Sequence, residues 1–366
     1  MKIYFANASF RKNDIRGRTV HILQFIEHNL ALGNEVWMEV GTEHAGIQVM
    51  PRNRLARIRI YRQMDVIYVR IQGKLAKACR YSNKFYRLIM GNPLNVWEFN
   101  TFPAHVLKEG EAKPPGENGL AALKKYGRNC DLAVCVSSRL HNFIQEDIGI
   151  QNSIVVPNGS DPALFNPSRY LQLPVAKDPR VLKVIWIGSA DLDWNDFDQL
   201  LSAAKIINAS GLAKKIEFHI IGKGFSHIDE CPQNMFYHGP VSYYDLPPWL
   251  AAMDVGLIIY HSGGANYNSP LKLFDYMASG LAVVSNEQPQ VREILSQIGG
   301  ESLIVSSGDP IKLAEVLVSL IQDREKVRKI GIAGREKVID TYNWHRAIAV
   351  TNEKMKELLI LRGRHA

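Results

Sequence analysis

The chain has 366 residues, 46% of them hydrophobic and 22% charged, which is more than one typical domain and enough to bury two cores. No apolar run reaches the length of a membrane-spanning helix, and the opening Met1-Lys-Ile-Tyr-Phe-Ala-Asn7 lacks the long apolar region of a secretory signal. The four cysteines, Cys79, Cys130, Cys135 and Cys231, show neither disulfide density nor zinc-ligand spacing, so a metal site is not expected and a reducing cytoplasm is. The net charge of +8 is uneven: residues 1–170 hold 23 Lys+Arg against 14 Asp+Glu, and residues 171–366 hold 21 against 22. Most of the excess falls at 52–87, where 11 basic residues meet the single acid Asp65. Such a region suits phosphates, anionic lipid or nucleic acid, and equally an ordinary solvated face. It carries no recognisable nucleic-acid-binding motif, so no nucleic-acid partner is expected.

In chain order, residues 2–6 read as a strand, 11–18 as a polar connection, 19–32 as a helix with Val20, Leu23, Phe25, Ile26 and Leu30 on one face, and 35–40 as a second strand. This strand–loop–helix–turn–strand unit builds parallel sheets, and its loop lies where open α/β sheets place ligands. Residues 66–70 read as a strand and 73–90 as one amphipathic basic helix, which suits packing on its own sheet with a possible role at an anionic surface. Residues 95–100 form a strand that runs into a long loop at 101–119. A loop of that length inside a compact domain is usually functional. Glu98, Asn100 and His105 are the polar groups expected to face a cleft there. Residues 132–136 read as a strand, 137–146 as a helix opened by Ser137-Ser138, and 154–159 as the end of the first half. Residues 166–180, with Pro167, Pro174 and Pro179, read as an interdomain linker.

The second half repeats the rhythm. Strands are expected at 183–188, 216–221, 235–238, 255–260 and 303–305, and helices at 196–210, 244–253, 310–323, 324–342 and 343–362. Alternating strands and helices twice over imply two doubly wound domains that face each other. The stretch Asn268-Ser-Pro-Leu-Lys-Leu-Phe-Asp-Tyr-Met-Ala-Ser-Gly-Leu-Ala-Val-Val-Ser285 stands out. Ser269 is a candidate cap, Pro270 suits a first helical position, and Leu271, Phe274 and Ala278 form one stripe. Gly280 stops the helix, and 281–284 read as a buried strand. A helix N-terminus attracts anions. Lys272 in its first turn suits a phosphate, and Asp275 one turn on suits ribose hydroxyls. An ordinary core helix with two solvated charges fits the same residues.

At this point the sequence resembles the glycosyltransferases of GT-B fold, GT4-type (group 1). Four segments carry the resemblance, which covers nearly the whole chain. They are Ser137-Ser-Arg-Leu140 with Ile154-Val-Val-Pro-Asn-Gly-Ser-Asp161 and Phe165-Asn-Pro167; His238-Gly-Pro-Val241 with Leu246-Pro247 and Ala251-Ala-Met-Asp-Val-Gly-Leu257; the 268–285 stretch; and Tyr342-Asn-Trp344 before a closing helix. The resemblance implies an α/β GT-B fold of two facing Rossmann-like domains. Residues 1–165 would bind the acceptor, joined by the crossover helix at 343–366, and residues 170–342 would bind the nucleotide sugar. It implies sugar transfer from a UDP- or GDP-sugar to a glycan or lipid-linked acceptor, retaining, without a metal or other cofactor, in polysaccharide biosynthesis, with peripheral contact to an anionic membrane at the inner face. Backbone N–H groups near Asn268–Leu271, Ser269 included, and the Lys272 amine would hold the β-phosphate, Asp275 the ribose, and Gly188, Gly222, Gly224 and Val241 would border the nucleotide, with Ser189 and Tyr267 also among the binding positions. Lys272, His105 and Glu98 would carry the chemistry. Two positions depart from the family pattern. Tyr267 stands where an acid is frequent, and Ser189, with Trp194-Asn195 further on, replaces an Arg/Lys phosphate pair. A non-catalytic sugar-nucleotide-binding protein and a sugar-nucleotide epimerase share this scaffold.

Overall fold

The computed structural model describes residues 1–6, 17–71, 76–101, 117–225, 231–263 and 267–363. The first half contributes strands β1 (Lys2–Ala6), β2 (Glu35–Met38), β3 (Gln48–Val49), β4 (Val66–Ile71), β5 (Leu94–Phe99), β6 (Leu132–Cys135) and β7 (Ser153–Val155). Its helices are α1 (Gly17–Ala31), α2 (Arg54–Tyr61), α3 (Ala76–Ser82), α4 (Lys84–Ile89), α5 (Glu117–Gly127) and α6 (Ser138–Phe143). The strands pair in parallel in the order β3-β2-β1-β4-β5-β6-β7. β1 shows why such strands read as unbroken apolar runs. Tyr4 and Ala6 enter a layer with Tyr61, Ala78, Leu123 and Leu140 from α2, α3, α5 and α6, while Ile3 and Phe5 enter the opposite layer with Phe25 and Ile26 of α1.

The second half contributes β8 (Leu182–Ser189), β9 (Ile216–Lys223), β10 (Met235–Tyr237), β11 (Val255–Ile258), β12 (Ala282–Asn286) and β13 (Ile304–Val305). Its helices are α7 (Phe197–Ala209), α8 (Leu246–Ala251), α9 (Leu271–Ala278), α10 (Pro289–Ser296), α11 (Pro310–Gln322), α12 (Arg324–Asp340) and α13 (Trp344–Leu361). These six strands are also parallel, in the order β10-β9-β8-β11-β12-β13. Leu200, Leu313 and Val327 of α7, α11 and α12 cover one face, and Leu250, Leu273 and Val291 of α8, α9 and α10 cover the other. Strand order reverses between β1 and β4 in the first sheet and between β8 and β11 in the second. Crevices outside the C-terminal strand ends at such reversals are where α/β sheets bind ligands.

The chain crosses between the two sheets twice, side by side. Ser160 N–H donates to the Tyr342 carbonyl at 3.1 Å and Trp344 N–H donates to the Ser160 carbonyl at 3.3 Å. A Cβ on Gly159 would sit 2.7 Å from the Asn343 carbonyl carbon, so glycine permits this close approach. Asn343 caps α13 by accepting from Arg346 N–H at 2.9 Å. α13 then returns to the first sheet, burying Ile348, Met355 and Leu359 there, and Asn352 joins Asn34 and Asn29 in a buried amide cluster.

Several expectations change. The single helix expected at 73–90 is two helices, because Asn83 turns the chain and accepts from Phe85 N–H and Tyr86 N–H at 3.0 and 3.2 Å. α2 forms where the sequence showed only a basic run, its start set by Asn53, which accepts from Leu55 N–H and Ala56 N–H. The linker expected at 166–180 lies against the second core through Leu173 and Val175. His105, and most of the loops expected at 11–18 and 101–119, lie outside the described residues.

Candidate active site

The crevice beside β8 and β11 is closed by α9. Ser269 does not cap this helix. Its hydroxyl instead accepts from Asn158 N–H at 3.0 Å, and its carbonyl accepts from the Asn158 side-chain amide at 2.7 Å. Pro270 precedes the helix with β-region backbone (ψ 118°) instead of occupying its first position, and no side chain caps the first turn. The helix start is therefore held by the first crossing of the chain, and while Leu273 N–H donates to the Pro270 carbonyl at 3.1 Å, the N–H groups of Leu271 and Lys272 stay available to an anion. Gly280 ends the helix at φ 77°, in the left-handed region, as expected from sequence.

Two side chains of α9 hold Ile187, near the end of β8, by its carbonyl and its N–H. Lys272 Nζ donates to the Ile187 carbonyl at 3.0 Å, and Tyr276 Oη accepts from Ile187 N–H at 3.1 Å. The Lys272 ammonium also sits 5.3 Å from the Trp186 ring and 4.9 Å from the Tyr260 ring. Burial without a carboxylate partner pushes its amine down to about 7. Asp275 lies one turn deeper. Ser160 Oγ donates to Oδ1 at 2.6 Å, and Tyr243 Oη reaches the same oxygen at 3.4 Å. Burial pushes this carboxyl up to about 7, and the two hydroxyls only partly offset it. No described group donates to Oδ2. Ser160, Tyr243, Trp186, Tyr260 and Tyr276 were not singled out in the sequence. Aromatic residues in strands and helices signal core first, and nothing in the local pattern shows which carbonyl or carboxylate they will face.

The glycines expected at the nucleotide prove to shape the backbone. A Cβ on Gly222 (φ 146°) would overlap the Gly188 carbonyl oxygen, one on Gly224 (φ 85°) would overlap Asp191, and one on Gly188 would press on the Trp186 ring at 2.6 Å. Together they let β8 and β9 end close together below the helix start. Ser189 donates to Asp191 at 2.8 Å, and its carbonyl accepts from Asn195 at 2.7 Å, which closes the loop after β8. Val241 is half-buried on the core beneath α9. Leu271 and Asn268 are half-buried at the helix start.

Tyr267 points the other way. Its carbonyl accepts from Ser137 Oγ at 2.8 Å, the Arg139 guanidinium lies 4.9 Å from its ring, and Phe143 packs edge-on at 6.4 Å. It fastens the second domain to α6 of the first. Gln290, which donates to the Val136 carbonyl, and Glu293, which accepts from Ser138 Oγ, reinforce that contact from α10.

Glu98 lies in the first domain at the end of β5 and is 2% exposed. Tyr68 Oη donates to it at 2.6 Å, the Asn100 amide donates to its other oxygen, and Arg70 and His21 each approach at 3.3 Å. The Trp344 ring stands edge-on to His21 at 5.2 Å, so the start of α13 covers a small cavity of about 20 Å³ between them. Burial holds the His21 imidazole neutral, pushed down to about 4. Among the described residues no three His, Cys, Asp or Glu side chains are grouped to hold a metal ion. No described helix is long and apolar enough to cross a membrane.

Two parallel sheets with their covering helices, joined by a crossover helix, define the GT-B class of fold. Sucrose-phosphate synthase from Thermosynechococcus elongatus superposes with a TM-score of 0.68 at 15% identity over 98% of this chain and 99% of that one. Anabaena HepE in complex with UDP does so with a TM-score of 0.69 at 13% identity over 98% and 100%. Residues 182–323, which take in most of the second domain, match the family described as Glycosyl transferases group 1. The chain is also 24% identical over 239 residues to an MMP alpha-(1->4)-mannosyltransferase from Mycolicibacterium hassiacum. That alignment takes in 62% of this chain and 54% of the relative, so the chain spans about half the length of the curated protein it matches.

Proposed function

We propose that this protein is a glycosyltransferase that moves a sugar from a nucleoside-diphosphate sugar, UDP- or GDP-linked, to an acceptor held by the first domain. The observation that carries the reading is the uncapped start of α9 with the Lys272 ammonium enclosed at the end of β8. As the glycosidic bond to the donor breaks, the sugar becomes cation-like and the leaving diphosphate gains charge. Fixed N–H dipoles and one desolvated cation stabilise that charge without reorganising. Lys272 is the charge partner in this reading. Asp275 Oδ2 accepts from ribose hydroxyls, while Ser160 and Tyr243 hold Oδ1. Helix start and amine together meet the demand that a metal ion would otherwise meet, which supports a metal-independent reaction. HepE is described as bound to UDP, which favours uridine as the base.

Retention at the anomeric carbon is part of this reading, and the anomeric proton coupling in the product tests it. The main test is a panel of UDP- and GDP-sugars screened by thermal shift and then by calorimetry on the full chain. At a ligand concentration 100 times Kd, a true donor stabilises by about 2.7 kcal/mol. Failure of every nucleotide sugar to bind would sink the proposal. Binding without transfer to any acceptor would favour a sugar-nucleotide-binding protein, and conversion of the donor alone would favour an epimerase.

A further inference from the structure

A second concave site lies in the first domain, away from α9. It is a cavity of about 720 Å³ whose lining includes Arg52, Arg54, Arg57, Arg80, Tyr81 and Tyr86. The one acid in that lining, Glu39, is already engaged. Arg57 donates to both its oxygens at 3.1 Å, and Tyr4 Oη donates at 2.6 Å. Arg57 is thereby fixed to the cavity floor, where the hydroxyls of Tyr4 and Tyr61 each lie within 3.4 Å of Tyr81 Oη. No described acid pairs with the other three guanidiniums. Arg52 and Arg54 are exposed, and no described residue accepts a hydrogen bond from either. Arg80 lies 4.9 Å from the Tyr86 ring, and no described residue accepts a hydrogen bond from its guanidinium.

Three guanidiniums that line one hollow with no described acid paired to them repel each other, and an anion between them removes that cost. The guanidinium fork matches phosphate oxygens two at a time, and three forks from two segments of the chain fit a tetrahedral group better than a planar carboxylate. The cavity's place on the sheet is informative. Glu39 follows β2, Arg52 and Arg54 follow β3, and Arg80 follows β4, so the site lies along the C-terminal edge of the first sheet. That same edge meets the second domain at Ser137 after β6. β2 stands four strands from β6, or roughly 20 Å at ~4.8 Å per strand.

We infer that this pocket binds a phosphate monoester or diphosphate group carried by the acceptor. Calling the ligand the acceptor rests on the transferase reading above, whereas anion binding in the pocket does not. The phosphoryl group can belong to a soluble phosphosugar or to a lipid headgroup. Leu55, Phe85 and Leu88 on α2 and α4 are each about three-quarters exposed and make the lipid source worth its own arm.

The test is calorimetric titration of the full chain with sn-glycerol 3-phosphate, with a hexose 6-phosphate and with UDP, beside sedimentation with phosphatidylglycerol vesicles and with phosphatidylcholine vesicles. The wild type is compared with Arg54→Gln/Arg80→Gln, which spares the Arg57 network. The expected result is at least about tenfold weaker binding of the phosphate ester by the variant, about 1.4 kcal/mol, with UDP affinity and thermal midpoint unchanged. Binding of phosphatidylglycerol vesicles alone, lost in the variant, supports the pocket with a lipid as its source. No binding of any phosphate probe, or equal binding by wild type and variant, overturns the inference. Failure of every UDP- and GDP-sugar to bind, while phosphate-ester binding is lost in the variant, keeps the pocket and overturns the donor reading instead.

Discussion

Lys272→Met separates a functional lysine from a structural one, because the two roles predict opposite effects on stability. The amine is enclosed beside Trp186 and Tyr260 and is held at about 7 instead of the ordinary 10.5. At 1.36 kcal/mol per pH unit, the folded protein bears up to about 5 kcal/mol for keeping it there. Methionine comes close to its length, removes that cost, and forfeits the Ile187 carbonyl bond and the ring contacts, together about 2–4 kcal/mol. The variant should therefore be as stable as the wild type or up to about 3 kcal/mol more stable at pH 6.

The sign of the pH dependence follows. Below about 7 the folded amine is charged and the cost is present in full. From about 7 to 10.5 the unfolded chain keeps a proton that the folded chain has lost, so wild-type stability rises and the advantage of the Lys272→Met variant closes. Nucleotide affinity should move the other way. Losing a charge-assisted contact to a phosphate weakens UDP or GDP binding by about 1.5–3 kcal/mol, some 10- to 150-fold. Wild-type affinity should itself fall as pH rises above about 7. Urea unfolding at pH 6 and pH 9.5 with calorimetry at both would check this. A Lys272→Met protein that is clearly less stable at pH 6 and binds nucleotide as tightly as the wild type would refute the reasoning.

Two further substitutions test the surrounding geometry. The Asp275 carboxyl is held at about 7 against an ordinary 3.8, so between those values the folded chain retains a proton that the unfolded chain has lost, and stability falls as pH rises. Asp275→Asn should remove a slope worth up to about 4 kcal/mol across that window in matched urea titrations, and parallel wild-type and variant profiles would contradict it. Gly222→Ala should cost about 4 kcal/mol or more, because its Cβ meets the fixed Gly188 carbonyl. Gly41→Ala, also at positive φ but with open space around it, should cost about 1–2 kcal/mol. Equal losses at the two glycines would show that φ alone matters.

Much of this molecule was legible in local patterns. Buried parallel strands are apolar on both faces, so β1, β4, β6 and β8 announce themselves as runs bounded by polar turns, and their alternation with helices implies the two sheets. Gly280 marked the end of α9 because a left-handed residue is cheapest as glycine. Lys272 and Asp275 were marked by their place relative to a helix start. The break at Asn83 was harder to see, since a capping asparagine inside a basic amphipathic run looks like one more polar residue of a continuous helix.

Local spacings along the chain were enough to set most of the elements and their order, and they singled out Lys272 and Asp275 of α9 as candidates. What each polar group touches was settled only when distant segments met. Ser269 is a good cap by type, yet Asn158, 111 residues earlier, claims its hydroxyl. Asp275 is a solvated carboxylate by type, yet Ser160 and Tyr243 bury it. Tyr267 stands where an acid was expected and instead clasps α6. Arg52, Arg54 and Arg80 belong to one patch in composition, but only the folding of α2 and α3 onto one sheet edge gathers them around a cavity. A hydrogen bond or a burial cost is set by which segments meet, and no local pattern carries that information across a hundred residues of chain.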